Sequence, residues 1–132
     1  MNKPPLNGLP RLKAAWYNSL NGLNDVWKNE EAFRIEAVAF LFSIPLAFWL
    51  GDTPFKISIL CAVVLLVLVV EVLNTAIEAV VARCGPERHE VSRIAKDLGS
   101  LAVLQVSVLA GWVGVAAVWE DLTGFHNLAT LT

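Results

Sequence analysis

Three nearly unbroken apolar runs dominate this chain, and short polar stretches separate them. The pattern predicts helices over Phe33 to Leu50, Phe55 to Arg83 and Leu98 to Trp119. About 20 apolar helical residues cross a bilayer, so each run is read as a transmembrane helix. Ahead of them the pattern changes. Leu9, Leu12, Trp16, Leu20, Leu23 and Trp27 recur at helical spacing, with Arg11, Lys13, Asn18, Asn21, Asp25 and Lys28 between them. That predicts an amphipathic helix over 9–28, with Gly22 as a candidate break. Its Trp/Leu face suits a membrane surface, and packing on a soluble partner is the other reading. Residues 1–8 read as a flexible lead-in and 120–132 as a short polar tail. Pro45 is a candidate kink, which lipid-embedded helices tolerate. Gly51-Asp52-Thr53-Pro54 reads as a tight turn, and Gly85 as the cap of the second spanning helix.

Composition adds to this picture without altering it. The 132 residues are 56% hydrophobic, with a mean hydropathy of +0.59. They read as one all-α membrane domain over 1–132. The formal net charge is −2 and no basic tract stands out, so nucleic acid is not an expected partner. Residues 1–31 hold no apolar stretch ahead of a small-residue cleavage site, and no signal peptide is expected. Cys61 and Cys84 are 23 residues apart, about 35 Å along one helix, so they cannot pair and read as packing residues. Lys3, Arg11, Lys13, Lys28 and Arg34 flank the start of the first span. Arg83, Arg88, Arg93 and Lys96 lie in or beside the 84–97 loop, and only Lys56 lies on the opposite side. The excess of Lys and Arg on cytoplasmic loops then puts the N-terminus and the 84–97 loop inside and the C-terminus outside. Trp27 would mark the inner interface, Trp49 and Trp119 the outer one.

The candidate chemistry lies where the second run stops being apolar. Ile57 to Val70 is 14 residues without a charge, and then come Glu71, Asn74 and Glu78. At 100° per residue these three fall within roughly 60° of one helix face. Ionisable groups inside a membrane helix are costly and mark functional sites by default. Glu71 lies about 24 Å along the helix from Phe55, near the inner edge of a hydrocarbon core about 30 Å thick. Glu78 lies about 10 Å further on, at the headgroup level. Glu30, Glu31, Arg34 and Glu36 open the first span at that depth, Lys96 and Asp97 open the third, and His89 stands close by.

Such a layer of carboxylates suits Mg²⁺, which takes one or two carboxylates together with substrate phosphates. Lys96, Arg93 and Arg11 supply positive charge for phosphates, and Glu71 at the core edge suits a general base. A base, a metal site, phosphate-binding cations and lipid hydroxyls at one depth describe phosphoryl transfer to a lipid alcohol. No GxxxxGK[ST] loop is present. Structural readings stand beside each of these. Glu71 and Asn74 also fit hydrogen bonding across helices that sets an oligomer register. Glu30, Glu31, Glu87 and Glu90 also fit solvated charges, and Lys96 also fits an anionic headgroup.

These residues resemble the bacterial diacylglycerol kinase family of small integral membrane kinases. The matching stretches are Asn29-Glu30-Glu31-Ala32-Phe33-Arg34-Ile35-Glu36, Glu71-Val72-Leu73-Asn74-Thr75-Ala76-Ile77-Glu78 and Ala95-Lys96-Asp97-Leu98-Gly99-Ser100. A weaker one is Asn18-Ser19-Leu20-Asn21-Gly22-Leu23. The resemblance covers about residues 9–119. It implies three transmembrane helices and a surface helix per subunit, a homotrimer with composite active sites, and a place in the bacterial inner membrane. It also implies ATP-dependent phosphorylation of diacylglycerol to phosphatidic acid with Mg²⁺. By resemblance Glu71 is the general base, Asn74 supports it, and Glu30 and Glu78 hold the metal and with it the nucleotide. Lys96 and Asp97 contact the nucleotide, and Glu87, Arg88 and His89 lie where the family contacts it. Arg11 and Asn18 also fall near the nucleotide; Asn18 stands where some members carry Tyr. Arg11, Ser19, Glu36, Trp49, Glu71 and Ser100 fall at positions associated with the lipid. Ile35 replaces a frequent Gln, and Ala82 an acid seen before the family's Arg. Ser107–Gly111 and Ala110–Gly114 are small-residue pairs that permit close helix contact.

Two alternatives stay open at this point. Undecaprenol kinases run the same chemistry on another lipid. An ion-translocating subunit would place its key carboxylate near midplane, whereas the acids here gather at the cytoplasmic edge.

Overall fold

The computed structural model describes residues 7–85 and 89–124, which are all-helical. Four helices follow one another: α1 (Leu9–Asn29), α2 (Glu31–Leu50), α3 (Pro54–Arg83) and α4 (Glu90–Thr123). The last three are long and apolar enough to cross a membrane. At most 22% of the residues in their most apolar windows are buried within the chain. Trp49, Trp112 and Trp119 are all exposed, as are Leu104 and Val115. Contiguous apolar surface on that scale belongs against lipid or another chain, not water.

The termini of the helices follow from local chemistry. Glu30 is the single extended residue between α1 and α2, and its N–H donates to the Val26 carbonyl, ending α1. The Arg34 guanidinium then reaches back to the last carbonyls of α1, donating to Trp27 at 2.9 Å and Lys28 at 3.4 Å. Those carbonyls lack intrahelical partners, so this cation closes the elbow. Thr53 caps α3 by accepting from the Lys56 N–H at 3.2 Å, with Pro54 at the first helical position. His89 caps α4 through Nδ1, which accepts from the Val91 N–H.

Several expectations change. α1 runs unbroken through Gly22, because one interior glycine costs only about 1 kcal/mol. The cap of α3 is Cys84, in helical geometry, and Gly85 follows it at φ +106°, so glycine stands one position beyond the cap. Cys84 is exposed and is not a packing residue; Cys61 is half-buried, and both are free thiols. The charged stretch from Glu90 to Asp97 is helix, not loop, because His89 nucleates α4 eight residues ahead of the apolar run. Residues 120–123, read as tail, continue α4, and Gly124 ends it in the left-handed conformation. Residues 125–132, and most of the lead-in, lie outside the described residues.

α3 packs most extensively against α4 and next against α2, while α1 touches chiefly α2. Two small cores result. Near the far end, Ala47 and Leu50 meet Leu60 and Ala117. At the elbow, Val26 and Phe33 pack on Leu68, and Trp27 stands edge-on to Phe33 at 6.4 Å. The second core matters for function, because Leu68 lies three residues before Glu71 and ties the polar turns of α3 to the α1–α2 elbow.

Candidate active site

Glu71 sits one turn beyond that elbow core and is 5% exposed, the one buried charged side chain among the described residues. Helical periodicity carries Asn74 and Glu78 onto the same face. Glu71 interacts electrostatically with Glu30 and Glu78, and Glu36 with Glu71, so four acids from three segments share one region. Glu36 holds a buried Oε2 with no hydrogen-bond partner among the described residues. Asn74 does the same with its Oδ1. Buried polar atoms left unpaired are costly and call for an explanation at a site of this kind.

A cleft of about 530 Å³ opens between α1 and α3, edged by α4; neither Glu71 nor Asn74 is among the residues that line it. Glu30, Glu78 and Lys96 line it together with Asp25, Asn29 and Thr75. Lys96 Nζ stands 3.9 Å from Glu78 Oε1, which ties α4 to α3 across the cleft mouth. Three carboxylates, Asp25, Glu30 and Glu78, line this cleft, a donor set that fits Mg²⁺, whose remaining positions go to water and phosphate oxygens. Among the described residues no three His, Cys, Asp or Glu side chains form a ready-made metal cluster.

Other residues singled out in the sequence fall elsewhere. Asp97 is held on the exposed face of α4 by Arg93, which also pairs with Glu90 at 2.6 Å. His89 is exposed and serves as the α4 cap. Ser100 is exposed one position beyond Gly99. Arg11, Asn18 and Ser19 are exposed along α1, where the Ser19 hydroxyl donates to the Ala15 carbonyl. Trp49 is 77% exposed at the end of α2 remote from Glu71. Glu87 and Arg88 lie outside the described residues.

Some participants were missed. Asp25 and Asn29, one turn apart on α1, reach the cleft, and their spacing ahead of Glu30 was the available signal. Gly99 is buried, and a Cβ placed on it would overlap the Asn74 Oδ1. A Cβ on Gly111 or Gly114 would meet nothing within 4 Å inside the chain. Nothing in the α4 pattern separates Gly99 from these two.

Fold and site together define an all-helical integral membrane enzyme whose acids gather around one buried carboxylate. The prokaryotic diacylglycerol kinase family matches residues 17–118. Diacylglycerol kinase of Escherichia coli K12 is 46% identical over 109 residues, covering 83% of this chain and 88% of that protein. The Haemophilus influenzae diacylglycerol kinase is 44% identical over 110 residues, covering 82% and 93%. That of Pseudomonas aeruginosa is 43% identical over 95 residues, covering 72% and 77%. The chain belongs to the prokaryotic diacylglycerol kinase family, and it is a membrane-bound kinase of lipid metabolism.

Proposed function

We propose that this chain transfers the γ-phosphoryl group of ATP directly to the free hydroxyl of diacylglycerol, giving phosphatidic acid. The observation that carries this reading is the buried Glu71 in electrostatic interaction with Glu30 and Glu78, which line a cleft together with Lys96. ATP approaches from the cytoplasm, and its phosphates enter that cleft. Lys96 meets them as a point charge. Glu30 and Glu78 would hold Mg²⁺, whose chemistry is to offset charge on the phosphates. Diacylglycerol diffuses in from the inner leaflet, so its hydroxyl arrives at the depth of Glu71. Glu71 takes the hydroxyl proton as the oxygen attacks the γ-phosphorus in line, the bond to the ADP oxygen breaks, and ADP leaves. Asn74 holds the polar face of α3 beside the base.

α1 lies on the inner membrane surface, with Leu12, Trp16 and Leu20 dipping into the headgroup layer. Arg11, Ser19, Glu36, Trp49 and Ser100 border the path of the lipid. Asn18, Asp97, His89, Glu87 and Arg88 contribute to the nucleotide side. The working enzyme is a homotrimer in the bacterial inner membrane, with the N-terminus cytoplasmic and the C-terminus outside. Its sites are composite, because one chain leaves most of its spanning surface uncovered.

The test is a transfer assay on purified protein in mixed micelles, with γ-labelled ATP and a panel containing diacylglycerol and undecaprenol. Labelled phosphatidic acid is expected. Transfer to undecaprenol alone would reassign the lipid, and transfer to neither would overturn the kinase reading.

A further inference from the structure

Asn74 and Gly99 meet where α3 and α4 approach most closely at the depth of the polar layer. Gly99 is among the few buried residues of α4. A Cβ there would overlap the Asn74 Oδ1, stand 3.4 Å from its Cγ and 3.9 Å from its Cα. The Oδ1 therefore occupies the space that any other residue at position 99 would fill. It is buried and accepts no hydrogen bond from the described residues. A polar atom held in this way is not there for its own stability, since an unpaired buried carbonyl costs about 1–3 kcal/mol. The contact does something else. It wedges the amide between two helices, so that the Asn74 side chain has one seat. It also sets α4 against α3 one turn from Lys96, at the cleft that Lys96 and Glu78 share.

We propose that Gly99 is a positioning residue for the phosphoryl transfer: its missing side chain provides the seat that orients Asn74 beside Glu71. This rests on the function proposed above. A methyl group at position 99 would push the amide out of its seat, because the atom it would overlap is the Asn74 Oδ1 at the end of that side chain, while the Asn74 Cα at 3.9 Å is in ordinary contact and need not move. Positioning errors of this size act on turnover more than on binding.

The experiment compares the unmodified chain, Gly99→Ala, Asn74→Ala and the double variant in the mixed-micelle assay with ATP and diacylglycerol. Thermal unfolding and sedimentation in the same detergent give the folded, assembled fraction. Per folded enzyme, Gly99→Ala is expected to lower kcat at least tenfold and to leave the KM for ATP within twofold. Asn74→Ala lowers kcat as well, and adding Gly99→Ala to it costs less than a further twofold, because the seat then has no occupant to displace. A structural role alone would lower the folded fraction and leave kcat per folded enzyme intact. A Gly99→Ala kcat within twofold of the unmodified chain would overturn the proposal, as would an equal loss in the Asn74→Ala background. An unmodified chain that phosphorylates neither lipid would overturn the function itself, and the positioning role with it. That failure is distinct, because it appears before any variant is compared.

Discussion

Lys96 Nζ stands 3.9 Å from Glu78 Oε1 across the mouth of the cleft that Glu30 also lines. The two side chains are half-exposed, so this ion pair is worth little to stability. Its value lies in what it keeps together. In the proposed function it keeps a cation for phosphate and a carboxylate for a metal on two different helices, each free to exchange its partner for ATP and Mg²⁺.

The proposed function gives Lys96 a role in binding the phosphates. Lys96→Met should raise the KM for ATP about ten- to a hundredfold, the range of one charge-assisted hydrogen bond of about 1.5–3 kcal/mol. The rise should be smaller at high salt, because screening weakens the phosphate contact that only the unmodified enzyme makes. Steady-state kinetics at two ionic strengths checks both, and an unchanged KM would remove Lys96 from the phosphate site.

The proposed function makes Glu78 a metal ligand. Glu78→Ala should shift the Mg²⁺ titration of activity sharply upward, with partial recovery at high Mg²⁺. A superimposable titration would reject the ligand role.

Among the described residues Glu71 is the only buried acid. Glu71→Gln keeps size and shape but cannot accept the hydroxyl proton. Turnover should fall at least about a hundredfold, the usual worth of a general base, while the protein sediments unchanged. Normal turnover would end the case for Glu71 as base.

At the opposite end, Lys56 pairs with Glu120 at 3.1 Å, joining the start of α3 to the last turns of α4. Lys56→Met should cost about 0.5–1 kcal/mol of stability and leave kcat unchanged, because the pair is remote from the cleft. A large loss of kcat would mean that the two ends of α3 and α4 are coupled.

Orientation can be read from the thiols. Cys84 is exposed beyond the end of α3, and Cys61 is half-buried inside the same helix. A membrane-impermeant maleimide should label Cys84 in inverted inner-membrane vesicles and not in intact spheroplasts. The reverse pattern would put the cleft outside, away from ATP.

Much of this protein was legible in its residues. Long apolar runs can satisfy their backbone in lipid only as helices, so α2, α3 and α4 and their approximate extents followed from composition and length. The one-face spacing of Glu71, Asn74 and Glu78 is a property of any helix, and the two acids and the amide could be singled out as chemistry from it. Helix ends were less legible. His89 and Cys84 act as caps through local geometry that no apolar pattern encodes. Tertiary structure alone decided which groups meet. Asp97 and Lys96 are neighbours in the chain, yet only the packing of α4 on α3 sets Lys96 against Glu78 at the cleft, while Asp97 stays with Arg93 on its own helix. Likewise Gly99, Gly111 and Gly114 look alike along α4, and only the crossing of α3 and α4 brings one of them onto Asn74. Periodicity determines the face a residue occupies, whereas the packing of one helix on another determines what that face touches.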